Sequence, residues 1–150
     1  MEQWIRKPTL VALFVTVLIL SVVVACSGSA DDSNTLNIER LAPPAAYAGK
    51  TNPLADDGAA VEAGKQLYAV NCVSCHGAEA MGDGPASNSL NPKPKPLAIE
   101  MKSLQDDYLF WRISEGGAFS PFTSAMPAWE TIFTEDEIWQ VVAFLRTLSK

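Results

Sequence analysis

The stretch Cys72-Val73-Ser74-Cys75-His76 places two cysteines three residues apart, with a histidine directly after the second cysteine. Residues i and i+3 of a helical turn lie on one face, so both sulfurs can reach the two vinyl groups along one edge of a porphyrin. His76 then lies under the iron as its fifth ligand. The pattern is the attachment signature of c-type haem. It predicts one covalent haem c, bound through Cys72 and Cys75 and ligated by His76.

A pair of cysteines at this spacing also occurs in zinc sites and in thioredoxin-like dithiols. Zinc needs four ligands, and beyond the motif the chain offers only carboxylates and Cys26, because His76 is its single histidine. A thioredoxin-like dithiol requires a βαβ pattern, whereas no run of alternating β-branched residues surrounds the motif. The residues therefore favour haem attachment over both alternatives.

The chain starts with the features of a bacterial export signal. Arg6 and Lys7 precede an almost unbroken apolar run over residues 10–24, which leads directly into Cys26. The run is shorter than the ~20 residues that span a bilayer, so we expect a cleaved signal peptide over residues 1–25. An uncleaved anchor helix is the alternative. Both place the remainder on the outer face of the cytoplasmic membrane or in the periplasm, where c-type haem is attached.

The end of this run, Val23-Val24-Ala25-Cys26, resembles the lipobox of bacterial lipoproteins. The resemblance implies that Cys26 is diacylated and anchors the mature chain to the membrane. It also accounts for all three cysteines, since Cys26 takes lipid while Cys72 and Cys75 take haem. We therefore expect no disulfide.

Residues 26–56 are predicted to form a lipidated N-terminus and a flexible tether. The segment is rich in Ser, Asp, Asn, Ala and Pro, and its apolar residues follow no helical or strand period. The segment nevertheless contains more apolar residues than a spacer requires, namely Leu36, Ile38, Leu41 and Tyr47. We therefore expect part of the tether to dock on this domain or on a partner. The folded domain is predicted over residues 57–150.

The charge of the chain limits its partners. It carries 11 basic and 17 acidic residues, and cleavage before Cys26 leaves nine and sixteen, a formal net charge of −7. An acidic surface argues against binding to nucleic acid and against electrostatic binding to anionic lipid. It is compatible with a basic docking protein, or it serves solubility alone.

The first and last predicted helices are expected to cross. The first begins at Asp56 or Asp57 as N-cap and leads into the haem motif. The last begins at Thr134 with a capping box and continues as an apolar stripe of helical period. Gly64 is costly in a helix interior, by about 1 kcal/mol relative to Ala. Its presence indicates that the turn around Trp139 passes close to it.

A middle helix completes the frame of an all-α fold. It is predicted to begin at Ser103, with Asp106 at capping-box distance, and to end at Gly116 and Gly117. Prolines at positions 92, 94 and 96 predict an extended loop before it. The fold class is therefore three main helices around one haem.

The sixth iron ligand distinguishes a carrier from an enzyme. Iron with an open face binds gases or peroxide, whereas a methionine thioether closes that face and raises the reduction potential. Met1 lies in the signal, and Met81 lies only five residues after His76. Met101 directly precedes the middle helix, where it suits a core position. Met126 lies in a Ser/Pro-rich loop between two helices and precedes a proline, which favours it as the ligand.

Residues 57–150 resemble the small bacterial class I cytochromes c. The resemblance rests on GKQLY at 64–68, CVSCHG at 72–77, GDGP at 82–85 and AMPAW at 125–129. It implies an all-α fold around the haem, with His76 and Met126 as axial ligands. It also implies that the Pro85 carbonyl accepts a hydrogen bond from Nδ1 of His76 and fixes the ring.

The resemblance does not extend to the groups that bind the haem propionates. The candidates for this role are Trp111, Arg112, Ser124 and Trp129. Arg112 is alternatively a solvated charge on its helix.

The sequence thus predicts a membrane-tethered one-electron carrier that exchanges electrons with redox proteins of a respiratory or photosynthetic chain and binds no small-molecule substrate. A second hypothesis is a fixed subunit of a larger quinol-oxidising or oxidase complex, which the apolar residues of the tether favour. A third is a haem enzyme or gas sensor with an open distal site. The single histidine and the lack of an evident distal acid-base group argue against peroxidase chemistry.

We expect mass spectrometry of the mature protein to find acyl chains on Cys26 and to find them lost in Cys26→Ser. The reason is that an apolar run ending in Val-Val-Ala-Cys has no other explanation in this sequence. An unmodified Cys26, or a mature chain that retains the residues before it, would contradict lipidation and indicate an anchor helix instead.

Overall fold

The computed structural model describes residues 40–149, and within this range the chain is all-helical, as predicted. The helices are α1 (Gly58–Asn71), α2 (Val73–His76), α3 (Leu97–Glu100), α4 (Asp106–Glu115) and α5 (Glu135–Thr147). Short 3-10 turns occur at Ser87–Ser89, Met101–Ser103 and Trp129–Thr131. The predicted signal peptide, Cys26 and the first part of the tether lie outside the described residues. Among residues 40–149, no helix has the length and apolarity needed to cross a membrane.

Helices α1 and α5 cross at Gly64, as the sequence predicts. A Cβ atom built on Gly64 would lie 1.9 Å from the carbonyl oxygen of Gln140 and 3.0 Å from the nitrogen of Val141. The two backbones are therefore in direct contact, one residue beyond Trp139. Only glycine permits this approach, which explains why it is retained in the middle of a helix.

The N-terminal ends of α1 and α5 also agree with the prediction. Asp57 is the N-cap of α1, and its carboxylate accepts hydrogen bonds from the backbone nitrogens of Ala59 and Ala60. Thr134 caps α5 and forms a complete capping box with Glu137. These local hydrogen bonds satisfy backbone donors that a helix start leaves unpaired.

The predicted start of the middle helix at Ser103 is wrong. Helix α4 begins at Asp106 with Gln105 as N-cap, and no side chain caps it. The Ser103 hydroxyl instead donates to the Glu100 carbonyl at 2.8 Å. The Asp106 carboxylate cannot complete a capping box because it forms an ion pair with Arg146 of α5. A contact between distant residues thus replaces the local one.

The buried core is formed mainly by α4 and α5. The rings of Phe110 and Trp139 stack within it, with centroids 4.2 Å apart. Tyr68 of α1 packs against Phe144 at 5.3 Å. The buried cluster comprises Tyr68, Ala80, Ala98, Met101, Leu104, Leu109, Phe110, Ile113, Ile138, Trp139, Val141, Val142, Phe144 and Leu145.

Residues 41–56 pack on this core, although the sequence analysis assigned them to the tether. Tyr47 lies 6.1 Å from the Phe110 ring, and the buried side-chain amide of Asn52 donates to the Trp139 carbonyl at 3.0 Å. The compact unit therefore begins at residue 41 rather than at 57. The sequence left open whether the apolar residues of the tether dock on this domain or on a partner. Tyr47 docks on this domain.

Single polar contacts hold the rest of this segment, which is why no periodicity reveals it. The Gly49 nitrogen donates to the Asp107 carboxylate at 2.8 Å. Lys50 forms a salt bridge with Glu135 at 3.1 Å. Side chains that contact distant residues one at a time leave no repeating pattern in the sequence.

We expect Gly64→Ala to lower the free energy of unfolding by about 2–3 kcal/mol, because the new methyl group would overlap the Gln140 carbonyl and force the helices apart. Gly58→Ala is the matched control, since a Cβ there has no atom within 4 Å. It should be neutral or stabilising by up to ~1 kcal/mol. Denaturant unfolding of the haem-loaded protein measures both. Equal midpoints for the two variants would contradict the crossing.

Candidate haem-binding site

The haem motif forms a single helical turn at the end of α1. The nitrogen of Cys75 and the nitrogen of His76 both donate to the Cys72 carbonyl, at 3.1 and 2.9 Å. Cys72 and Cys75 carry free thiols, and both residues are partly buried. The spacing of the motif therefore has the helical basis that the sequence predicts, with the two cysteines one turn apart.

Tyr68 of α1 holds the end of this turn. Its hydroxyl donates to the carbonyl of Gly77 at 2.7 Å, and its side chain is buried in the core. Burial raises the pKa of Tyr68 far above its ordinary value, with a further contribution from Cys72, so the hydroxyl stays protonated and remains a donor. The residue after the haem histidine is thus fixed to the first helix.

The loop over residues 77–86 folds back onto the motif. The nitrogen of Gly82 donates to the His76 carbonyl at 2.8 Å, and the nitrogen of Ala86 donates to the Ser74 carbonyl at 2.9 Å. A Cβ built on Gly84 would lie 2.4 Å from the Val73 carbonyl oxygen. The backbone of the loop therefore lies directly on α2, and this contact explains the glycines of the segment GDGP.

His76 has the protonation state of an iron ligand. Its burial lowers the pKa of the imidazole, which favours the neutral form that coordinates metals. Its Nδ1 is buried and has no hydrogen-bond partner within residues 40–149. The predicted hydrogen bond to the Pro85 carbonyl is therefore absent. Pro85 lies between Gly84 and Ala86, which contact the Val73 and Ser74 end of the motif.

The Cys72 thiol does not have the electrostatics of a reactive redox dithiol. Burial, with a contribution from Cys75, raises the pKa of Cys72 to about 12, so the sulfur is protonated at neutral pH. Disulfide exchange requires a thiolate. In the described part of the chain, no three His, Cys, Asp or Glu side chains converge as a metal cluster.

Met126 is held at the C-terminal end of α4. Its carbonyl accepts a hydrogen bond from the nitrogen of Gly117 at 2.9 Å. Gly116 has a φ of 69°, and a Cβ built on it would lie 2.5 Å from the Met126 oxygen and 2.4 Å from the Pro127 oxygen. The double glycine that ends the helix therefore also allows the methionine loop to pack against it. The Met126 side chain is partly buried against the core cluster.

The other two methionines of the folded unit have different environments. Met101 is fully buried in the core, and its carbonyl accepts a hydrogen bond from Arg146, so it acts as the core residue that the sequence suggests. Met81 also packs against the core cluster, but it directly precedes Gly82, whose nitrogen bonds the His76 carbonyl. Met81 therefore lies in the loop that directly follows His76, whereas Met126 lies in a separate loop between α4 and α5.

The four candidates for propionate binding differ in their partners. Trp111 donates its indole nitrogen to Glu115 at 2.7 Å, and Trp129 stacks on Phe133 with centroids 4.8 Å apart. Nη1 of Arg112 is buried without a hydrogen-bond partner among the described residues. Arg112 is therefore not simply a solvated helix charge.

Together these groups fit the donor set of a c-type haem. Two cysteines lie one helical turn apart, an imidazole whose pKa is lowered by burial follows them, and a thioether packs against the same core. The roles of Tyr68 and Gly84 in holding the turn are not evident from the sequence pattern. For Gly84 the sequence nevertheless carries a signal, because two glycines within four residues indicate close backbone contact.

The family model for subunit III of cbb3-type cytochrome c oxidase matches residues 59–145. Two relatives are the cbb3-type cytochrome c oxidase subunits FixPc of Rhizobium leguminosarum bv. viciae and FixP of Rhizobium meliloti (strain 1021). FixPc is 30% identical over 105 residues, covering 69% of this chain and 33% of FixPc. FixP is 27% identical over 113 residues, covering 75% of this chain and 36% of FixP. The chain thus spans about a third of the length of these curated relatives.

Solved structures give the same fold. Cytochrome cL from Methylophaga aminisulfidivorans MPT matches with a TM-score of 0.51 and 28% identity, over 66% of this chain and 59% of that one. A chain of the Kuenenia stuttgartiensis reducing HAO-like protein complex Kustc0457/Kustc0458 matches with a TM-score of 0.51 and 21% identity. That match covers 62% of this chain and 45% of the other, and it shows likeness of fold alone.

We expect Tyr68→Phe to lower the free energy of unfolding by about 1 kcal/mol, because it removes a buried hydrogen bond to the Gly77 carbonyl. Tyr47→Phe is the matched control, since the Tyr47 hydroxyl bonds Glu130 at the surface at 3.3 Å. Its loss should cost less than ~0.5 kcal/mol. Denaturant unfolding of the haem-loaded variants gives both values. A larger cost for Tyr47→Phe would contradict the role of Tyr68.

Proposed function

The chain belongs to the family of subunit III of cbb3-type cytochrome c oxidase, and on this basis we propose that it is a membrane-anchored one-electron carrier with histidine and methionine as axial ligands. The observation that carries the proposal is the separate anchoring of the two ligand segments. His76 is the last residue of the helical turn α2, which directly follows α1. Met126 lies in the loop between α4 and α5. Both segments pack against one buried cluster.

Cys72 and Cys75 would hold the haem through two thioethers. When bound, the haem supplies the Fe(III)/Fe(II) couple. Attachment at two points keeps the cofactor in place during redox cycling, which suits a carrier. The neutral imidazole of His76 is ready to bind iron without first losing a proton.

Met126 would close the distal side and raise the reduction potential relative to a second nitrogen donor. Its backbone is restrained by Gly116 and Gly117, and α5 follows with a strong capping box. A thioether held in this way would prevent water and exogenous ligands from reaching the iron. We therefore favour electron transfer over peroxidase or gas-sensing chemistry.

We further propose that the domain works outside the cytoplasm, anchored through lipid on Cys26. The supporting observation is the pairing of an export signal with a haem motif in one chain. The N-terminal end of the compact unit at residue 41 leaves only residues 27–40 between the lipid and the domain. Redox proteins of a respiratory or photosynthetic chain are the proposed partners.

A fixed subunit of an oxidase complex is the second candidate, and the names of the relatives favour it. The apolar tether supports it less than the sequence alone suggested, because Tyr47 and Leu54 pack against the chain's own core. Purification in mild detergent separates the two candidates. Co-migration with other haem-containing subunits supports the fixed subunit, whereas migration alone supports the carrier.

We expect reduced Met126→Leu to bind carbon monoxide readily, while the parent resists it. The substitution removes the proposed thioether ligand and keeps an apolar side chain of similar volume. The same variant should lose the methionine–iron charge-transfer band and have a lower reduction potential. Absorption spectroscopy and redox titration provide these measurements.

Met81→Leu and Met101→Leu are the controls, since each replaces a thioether with an apolar side chain of similar volume. A volume-conserving change of this kind at buried Met101 should cost less than ~1.5 kcal/mol in stability. Both controls should resist carbon monoxide as the parent does. If only one of these two control variants binds carbon monoxide, that methionine is the iron ligand in place of Met126. The protein would still be an electron carrier. Rapid binding by the parent would instead favour an enzyme or sensor.

A further inference from the structure

Arg112 of α4 lies among aromatic rings. Its guanidinium carbon is 3.5 Å from the centroid of Phe122, 5.4 Å from that of Trp111 and 5.5 Å from that of Phe119. Aromatic faces attract a cation and fix its position. They offer no hydrogen-bond acceptor with the geometry of a carboxylate, so they do not complete the coordination of a guanidinium.

One nitrogen of this guanidinium remains without a partner. Nη1 is buried and donates no hydrogen bond within residues 40–149, and the ion pairs between described residues do not include Arg112. The nearby Glu115 carboxylate accepts a hydrogen bond from Trp111 instead. A buried donor without an acceptor costs about 1–3 kcal/mol, and more when it is charged. Such a group indicates a missing anion.

Arg146 shows how this fold pairs the hydrogen-bond donors of an arginine whose role is structural. Its guanidinium forms an ion pair with Asp106 and donates to the carbonyls of Met101 and Leu104, at 2.7 and 2.8 Å. Each of these acceptors belongs to the chain itself. The contrast implies that the acceptor of Arg112 is supplied by something other than the described residues.

The position of Arg112 identifies what that group is. A Cβ built on Gly117 would lie 3.0 Å from Nη2 of Arg112 and 1.9 Å from Oγ of Ser124. The nitrogen of Gly117 bonds the Met126 carbonyl. Arg112 therefore lies against the loop that carries the proposed distal ligand.

We propose that Arg112 binds a propionate carboxylate of the haem through Nη1, an inference that rests on the proposed function. A guanidinium and a carboxylate form strong, directional hydrogen bonds, and the haem brings two carboxylates. These lie on the porphyrin edge away from the vinyl groups that Cys72 and Cys75 bind. Among the other candidates, Trp111 is already bonded to Glu115, whereas Ser124 is next to Arg112 and is placed to assist.

The charged groups around Arg112 allow the pairing to be measured by its pH dependence. Tyr108 and Glu115, both on α4, are the ionisable groups that influence Arg112. The loop over residues 116–127 that packs against it contains no ionisable side chain. Loss of the guanidinium should raise the pKa of the propionate, because its charged form loses a stabilising cation.

We expect haem-loaded Arg112→Gln to have a lower reduction potential at neutral pH, because the unpaired propionate charge favours Fe(III). The potential should then rise as pH falls and the propionate is protonated, whereas the parent should stay nearly constant over that range. Arg112→Lys keeps the charge and should remain close to the parent. Arg146→Gln is the matched control: it should lower stability and leave the pH profile unchanged.

Arg112→Gln would overturn the inference if it has covalent haem, an intact methionine–iron band, and the same potential and pH profile as the parent. That result would leave the proposed electron-carrier function unaffected. A parent protein without covalent haem would overturn the proposed function itself. If Arg112→Gln does not accumulate, the propionate bending band in resonance Raman spectra of the parent and of Arg112→Lys decides. We expect that band to shift between the two, and an identical band would overturn the assignment.

Discussion

The contact between the backbones of α1 and α5 at Gly64 is the constraint on which the rest of the domain depends. A glycine at this point allows the two helices to touch through main-chain atoms. Helix α1 ends in the turn that carries Cys72 to His76, and the segment that precedes α5 carries Met126. One crossing therefore fixes the helix that leads into the haem turn against the helix that follows the methionine loop. Packing of Tyr68, Trp139 and Phe144 around it forms the core.

Glycines that permit close backbone contact also occur in the two loops of the haem site. Gly84 lets the loop after the haem motif lie on α2, and Gly116 lets the methionine loop lie on the end of α4. Main-chain contacts thus hold both loops, and ring contacts of Phe119 and Phe122 with Trp111 add to them in the methionine loop. A carrier benefits from such rigidity, because iron ligands that stay in place reduce the structural change that accompanies electron transfer.

Local signals in the sequence predicted much of this arrangement, and distant contacts account for what they missed. The caps at Asp57 and Thr134 and the crossing at Gly64 depend on neighbouring residues or on a glycine that has no other explanation, and each is confirmed. Ser103 failed as a cap because Asp106 pairs with Arg146, forty residues away. The docking of residues 41–56 depends on isolated contacts that no periodicity encodes. Only three-dimensional burial reveals that Nη1 of Arg112 lacks a hydrogen-bond partner within residues 40–149.

These observations place the chain among cytochrome c electron-transfer domains related to the cbb3 oxidase subunit FixP. The central claim beyond that membership is that the iron has one histidine and one methionine ligand. Near-infrared magnetic circular dichroism of the ferric full-length protein tests it most directly, because the charge-transfer energy of low-spin haem depends on the axial pair. The account predicts the band of histidine–methionine ligation. A high-spin spectrum, or the band of two nitrogen ligands, would contradict it.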